Sequence, residues 1–331
     1  MKEIKRPQLF SFLGKFTLLH LITYIIIGYF FLIFQDSLPE SKRIALDFYE
    51  PFRSPDFMSI IGQILRGLAF ALIFYPFYNT LFKNPRGRLT LFGAMWGAAL
   101  FGSVEPQPGS IEGIIYTTIS FAEHMYILIA VAAQMLLFVW LFLKWEALSQ
   151  KRTGPSDPES QQSLENLVQY PKKIRGYIFR FGIVHLISYW IIGSLFYQIA
   201  GYADALQEME VFELWRNLES IPAVLLVFFG QIFRGPVLAL LLAPFYGSYI
   251  NKKHGWLLLF LLMFGLTALG SPIFLPEFIF FEGTFMEFLR DLMIGIPEIV
   301  TQMLVFSIIF FWWQRRSIRT IEKLPATGQI S

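Results

Sequence analysis

Two stretches of this chain recur in nearly the same words. Leu18 to Gly28 (LLHLITYIIIG) and Ile183 to Gly193 (IVHLISYWIIG) share seven of eleven residues. Gly62 to Tyr78 (GQILRGLAFALIFYPFY) and Gly230 to Tyr246 (GQIFRGPVLALLLAPFY) share ten of seventeen, including an arginine inside an apolar run. A third match sets Gln134-Met135-Leu136 against Gln302-Met303-Leu304. The offset is 165 residues at the first match and 168 at the other two, so the pattern reads as two copies of one unit with a small insertion between the first two matches.

The repeated unit is built for lipid. Of 331 residues 55% are hydrophobic, 18% aromatic and only 15% charged, and the mean hydropathy is +0.53. That lies outside soluble composition and predicts an all-α polytopic membrane protein. Crossing about 30 Å of hydrocarbon takes roughly 20 helical residues. Eight runs approach that length: 9–34, 57–82, 89–103 and 122–145 in the first copy, then 177–199, 222–250, 256–271 and 291–313 in the second. The third run of each copy is short. The N-terminus is basic and leads into a run too long for a signal-peptide core, so it reads as a retained first span.

Assigning alternate connections to opposite sides puts 20 Lys and Arg on one side and five on the other, with Arg66 and Arg234 inside spans. This bias predicts cytoplasmic N- and C-termini and an even number of spans per copy. Both copies then enter the membrane in the same direction, as parallel four-helix repeats related by a pseudo-twofold axis along the membrane normal. The expected organisation is a first repeat at 1–148, a polar cytoplasmic linker at 149–171, a second repeat at 172–314 and a basic tail at 315–331. A compact chain with short loops is compatible with a bacterial inner membrane. Two opposite-side loops, Val104 to Phe121 and Pro272 to Arg290, each carry proline, many apolar residues and a Glu-Gly pair, Glu112-Gly113 or Glu282-Gly283. They are open to two readings, a re-entrant segment or an amphipathic helix on the headgroups.

Arg66 and Arg234 carry the strongest functional signal, because an arginine at mid-span costs roughly 2.5 to 3.5 kcal/mol on insertion scales and needs a compensating environment. Each sits in G-Q-x-x-R-G, with Gln63 or Gln231 on the same helix face. Either the arginines bind an anionic group, a small molecule or a lipid headgroup, or each pairs with a carboxylate of its own copy. Glu123 and Asp291 are the candidate partners. Glu298, where the first copy has Ala130, reads as a coupling carboxylate or as a partner to Arg234. His20 with Tyr24 and His185 with Tyr189 form i,i+4 polar stripes, and Gln134 and Gln302 add further polar groups. Such residues line a ligand site or bond neighbouring helices.

There is no cysteine, which excludes disulfides, thiolate metal sites and cysteine nucleophiles. No G-x-S-x-G, H-E-x-x-H, Walker or dinucleotide pattern occurs, so no catalytic residue, metal ligand or cofactor is assigned. Short basic clusters between apolar runs argue against nucleic acid. Three functions remain: a small transporter or channel-like protein with a polar site between the repeats, a non-catalytic membrane subunit or lipid-binding scaffold, or an intramembrane enzyme using Glu123, His124 or Glu298. Membrane lipid is the expected surrounding, with a second copy or another membrane chain as further partners.

Overall fold

The computed structural model describes residues 7–39, 57–82, 86–151, 171, 173–202, 215–217, 220–270 and 295–322. Nearly all of these are helical, and no strand occurs among them. In the first half, α1 spans Leu9–Ser37 and α2 spans Phe57–Phe74; α2 passes through a 3₁₀ turn at Tyr75–Phe77 into α3, Tyr78–Phe82. Pro76, with no N–H to donate, tightens the ladder there. Next come α4, Gly87–Phe92, continuing as a π-helix through Phe101, the short α5, Ile111–Tyr116, and α6, Phe121–Lys151. The second half follows the same order: α7 (Ile174–Ile199), α8 (Ile221–Leu242), a 3₁₀ turn at Ala243–Phe245, α9 (Tyr246–Ile250), α10 (Gly255–Phe264) with its π-helical extension to Leu269, and α11 (Ile296–Glu322).

Among the described residues six helical segments are long and apolar enough to cross a membrane: Leu9–Ser37, Ser59–Phe82, Phe121–Ser149, Ile174–Ile199, Ile221–Ile250 and Ile296–Ile318. They fit an integral membrane protein. The third run of the second half forms a shorter apolar helix, Gly255–Leu269, and that of the first spans Gly87–Phe101. Large apolar side chains cover the outside, among them Phe10, Phe179, Ile191, Phe229 and Trp312, where hydrocarbon rather than water suits them.

Within each half the first span packs against the second and fourth, α1 on α2 and α6, and α7 on α8 and α11. Aromatic rings fill these crossings: Phe16 lies 4.7 Å from Phe138 and 4.9 Å from Phe142, and Phe181 lies 4.6 Å from Phe306 and 5.1 Å from Phe310. Such tilted and edge-on pairs add about 0.5–1.5 kcal/mol each beyond the area they bury.

The halves meet through their short third helices, each packed on the second helix of the other half. A Cβ on Gly97 would lie 2.5 Å from the Leu241 side chain, and one on Gly265 would lie 2.7 Å from Ile73. Glycine at these positions is what lets the helices approach. The Phe77 and Phe245 rings meet edge-on at 5.4 Å, and Thr80 Oγ1 is 2.6 Å from Ser248 Oγ. One buried cluster, from Phe12 to Phe311, runs through both halves.

Candidate functional site

Arg234 lies on α8, 13 residues beyond its start and so about 20 Å along the helix. Its side chain is 2% exposed. The sequence points to a partner in its own half, but the carboxylate it meets comes from the other. Arg234 Nη1 is 2.7 Å from Glu112 Oε1, on α5. The Gln231 amide, one turn before Arg234 on the same face, donates to both Glu112 oxygens at 3.0 and 3.1 Å. Gln231 Oε1 is 3.2 Å from His185 Nε2 on α7. Guanidinium, carboxylate, amide and imidazole thus form one continuous buried network that draws on both halves.

Local chemistry places Glu112 there. The loop after Phe101 turns at Gly109, whose φ of +87° suits glycine. His124 Nδ1 accepts from Gly109 N at 2.9 Å and pins that turn to α6. Ser110 then caps α5, its side chain accepting from Gly113 N at 2.8 Å. A Cβ on Gly113 would sit 2.0 Å from the Gln107 carbonyl oxygen, so only glycine lets the chain fold this tightly. Ile111 and Ile115 pack with Val227 on α8, and Glu112 between them is 3% exposed. Residues 107–117 are thus largely buried among the helices. Burial raises the Glu112 carboxyl above its ordinary range, while Arg234 and Gln231 pull it back down.

Both arginines also grip the opposite half through backbone. Arg234 Nη2 donates to the carbonyls of Gly102 at 2.9 Å and Ser103 at 3.2 Å, where the first π-helix ends. Arg66 Nε donates to the Gly270 carbonyl at 2.8 Å, where the second ends. A helix C-terminus presents unpaired carbonyls and the negative end of its dipole, so a cation there is held twice over. Arg66 also stacks over Phe70, 5.3 Å from its centroid.

A polar seam on α7 extends from the network. His185 faces Gln231, Tyr189 one turn on hydrogen-bonds Tyr116 of α5, and Gly193 one turn further leaves room for Glu298, whose Oε1 would lie 3.2 Å from a Cβ there. Glu298 Oε2 accepts from Tyr202 O–H at 2.5 Å. Glu298 is therefore engaged by Tyr202, and Glu112 takes the place at Arg234. Burial, with Glu112 and Glu298 adding to it, raises the Tyr116 phenol well above its ordinary value.

In the first half, His20 and Gln63 are buried, with the His20 ring edge-on to Phe70 and Phe138. Gly67 brings α1 close there, as Gly235 does for α7: Cβ atoms at these glycines would meet the His20 and His185 rings at 3.4 and 3.1 Å. Tyr24 is half-buried on α1, and Gln134 and Gln302 are buried on α6 and α11. Glu123 is half-buried and caps its own helix in a reciprocal box with Ser120, at 2.8 and 3.3 Å. Asp291 and Glu282 lie outside the described residues. Among the described residues no group of His, Asp or Glu is arranged to hold a metal. Sequence reading missed Glu112, Tyr116 and Tyr202; the repeated Glu-Gly pair was the available signal for the first.

The chain matches no protein family, no curated protein and no solved structure.

Proposed function

We propose that this chain is a small transporter of anions in the bacterial inner membrane, with both termini cytoplasmic. Its body is two parallel four-helix repeats, eight helices with the short third runs included, about a pseudo-twofold axis along the membrane normal. In such an arrangement only residues near the axis meet their own counterparts. The Phe77–Phe245 and Thr80–Ser248 contacts, each between residues at the 168-residue repeat offset, support it.

The observation that carries the transport reading is the Arg234–Glu112 pair, buried at mid-span and bridging a short inward-folded helix of one repeat to a span of the other. An ionisable pair in that place is costly to bury, and such residues mark functional sites. A carboxylate or phosphate entering from the α5 side competes with Glu112 for the guanidinium. Glu112 is thus an internal stand-in for the transported anion, and its release frees α5 from α8. His185 and Gln231 hold the amide in register for either carboxylate. Glu298 and Tyr202 at the end of the seam are placed to carry a coupling proton.

Native mass spectrometry of the gently extracted protein tests this, beside an Arg234→Gln plus Glu112→Gln variant, which leaves neither charge stranded. A small anion retained by the wild type alone supports the proposal. No bound species in either protein, with lower stability in the variant, favours the second reading: a non-catalytic membrane subunit or lipid-binding scaffold in which the arginines are packing glue. Their hydrogen bonds to Gly102, Ser103 and Gly270 carbonyls favour that alternative. An intramembrane enzyme is supported least, since Glu123 and His124 both serve to hold local backbone.

A further inference from the structure

At the ends of α1 and α7 that the charge count assigns to the cytoplasm, the two halves build the same three-residue cluster with one change of charge. In the first half, Lys15 Nζ is 3.1 Å from Glu146 Oε1, and Tyr78 O–H donates to Glu146 Oε2 at 3.0 Å. In the second half, Arg180 occupies the place of Lys15, Gln314 that of Glu146 and Tyr246 that of Tyr78, at the offsets of the repeat. Arg180 Nε donates to Gln314 Oε1 at 2.7 Å, and Gln314 Nε2 donates to Tyr246 O–H at 3.0 Å. The first cluster is a neutral ion pair. The second keeps its cation and replaces the acid with an amide, and among the described residues no carboxylate approaches Arg180.

The guanidinium is fixed by one edge. Gln314 is buried and held by Tyr246, so Arg180 Nε is anchored. Its Nη groups lie over Gly176 of the same helix, where an added Cβ would come within 3.3 and 3.4 Å of Nη1 and Nη2. Arg180 is six residues into α7, about 9 Å from its start, near the end that the charge count assigns to the cytoplasm. A planar fork of donors there matches the oxygens of a phosphate group.

We propose that Arg180, held by Gln314, is a phosphate-binding site on the cytoplasmic leaflet, its ligand the phosphate of an anionic lipid headgroup or free phosphate. The first half has no such site because Glu146 already occupies its cation. The site does not depend on the transport reading, since it uses neither Arg66 nor Arg234.

The test measures thermal unfolding in a zwitterionic detergent with added phosphatidylglycerol, with phosphatidylcholine, and with inorganic phosphate. The wild type is expected to be stabilised by phosphatidylglycerol and not by phosphatidylcholine; stabilisation by phosphate alone identifies the soluble anion as the ligand. Gln314→Glu rebuilds the arrangement of the first half, so it should fold at least as well as the wild type and lose the anion-dependent shift. Glu146→Gln should add a second anion-dependent shift by uncovering Lys15. An anion response in Gln314→Glu equal to that of the wild type, or none in the wild type, overturns the proposal.

Discussion

Arg234 on α8 and Glu112 on α5 meet at 2.7 Å, and with them the two halves of the chain share one buried charge pair. Removing one partner strands the other. Arg234→Gln or Glu112→Gln alone should each cost about 3–5 kcal/mol, whereas Arg234→Met with Glu112→Leu should come within about 1–2 kcal/mol of the wild type. Thermal or denaturant unfolding in detergent across the four proteins measures the coupling, and additive effects would show that the pair does not hold the halves together.

The turn that delivers Glu112 makes a second prediction. Gly113→Ala places its Cβ 2.0 Å from the Gln107 carbonyl oxygen and should destabilise by about 1–3 kcal/mol while exposing α5 to limited proteolysis. Gly14→Ala on α1 meets nothing within 4 Å and should be neutral or stabilising by about 0.5–1 kcal/mol. Unfolding curves of the two variants should therefore move in opposite directions.

The approach of Thr80 to Ser248 is a direct handle on the relation of the halves. Because the chain has no cysteine, Thr80→Cys with Ser248→Cys has no competing thiol. The hydroxyl oxygens are 2.6 Å apart, which brings the two side chains together for oxidation to a disulfide. Mild oxidation should cross-link most of the protein within the chain, read after cleavage in the polar linker as two fragments that separate only on reduction. Fragments that separate without reductant would refute this packing of the two halves.

A fourth prediction concerns the far end of the seam. Tyr202→Phe removes the donor to Glu298 and should shift the pH dependence of the proposed transport without abolishing it, whereas Glu298→Gln should flatten that dependence. Rates measured from acid to neutral pH in both variants decide this; an unchanged profile in Glu298→Gln would remove Glu298 from coupling.

How much of this is legible in the sequence differs residue by residue. Gly-Gln-x-x-Arg-Gly announces Arg234 and Gln231 as a buried pair on one face, because an arginine in an apolar run must be compensated by polar groups inside the protein. The i,i+4 spacing of His185 and Tyr189 marks the α7 seam. Helix periodicity speaks only within an element, however, and Arg234 finds its acid on α5 of the opposite half. Glu123 draws attention by its place near a span start, and its local role with Ser120 is readable from the Ser-x-x-Glu spacing. Glu112 is harder to see, because an apolar loop with one acid looks the same whether it rests on headgroups or folds among helices. The short third runs stand out by length alone, and their π-helical ends follow from glycine-rich packing on the other half rather than from any local signal.

The central claim is that an anion takes the place of Glu112 at Arg234. Its most direct measurement is uptake into proteoliposomes of labelled acetate, succinate and phosphate, by the wild type and by the Arg234→Gln plus Glu112→Gln double variant, which removes both charges and leaves none stranded. The account predicts that the wild type moves at least one of these anions and that the double variant, equally folded and equally reconstituted, moves it at least about tenfold more slowly, the loss of one charge-assisted contact of roughly 1.4 kcal/mol or more. Equal rates in the two proteins, or no anion moved by folded wild type, would contradict it.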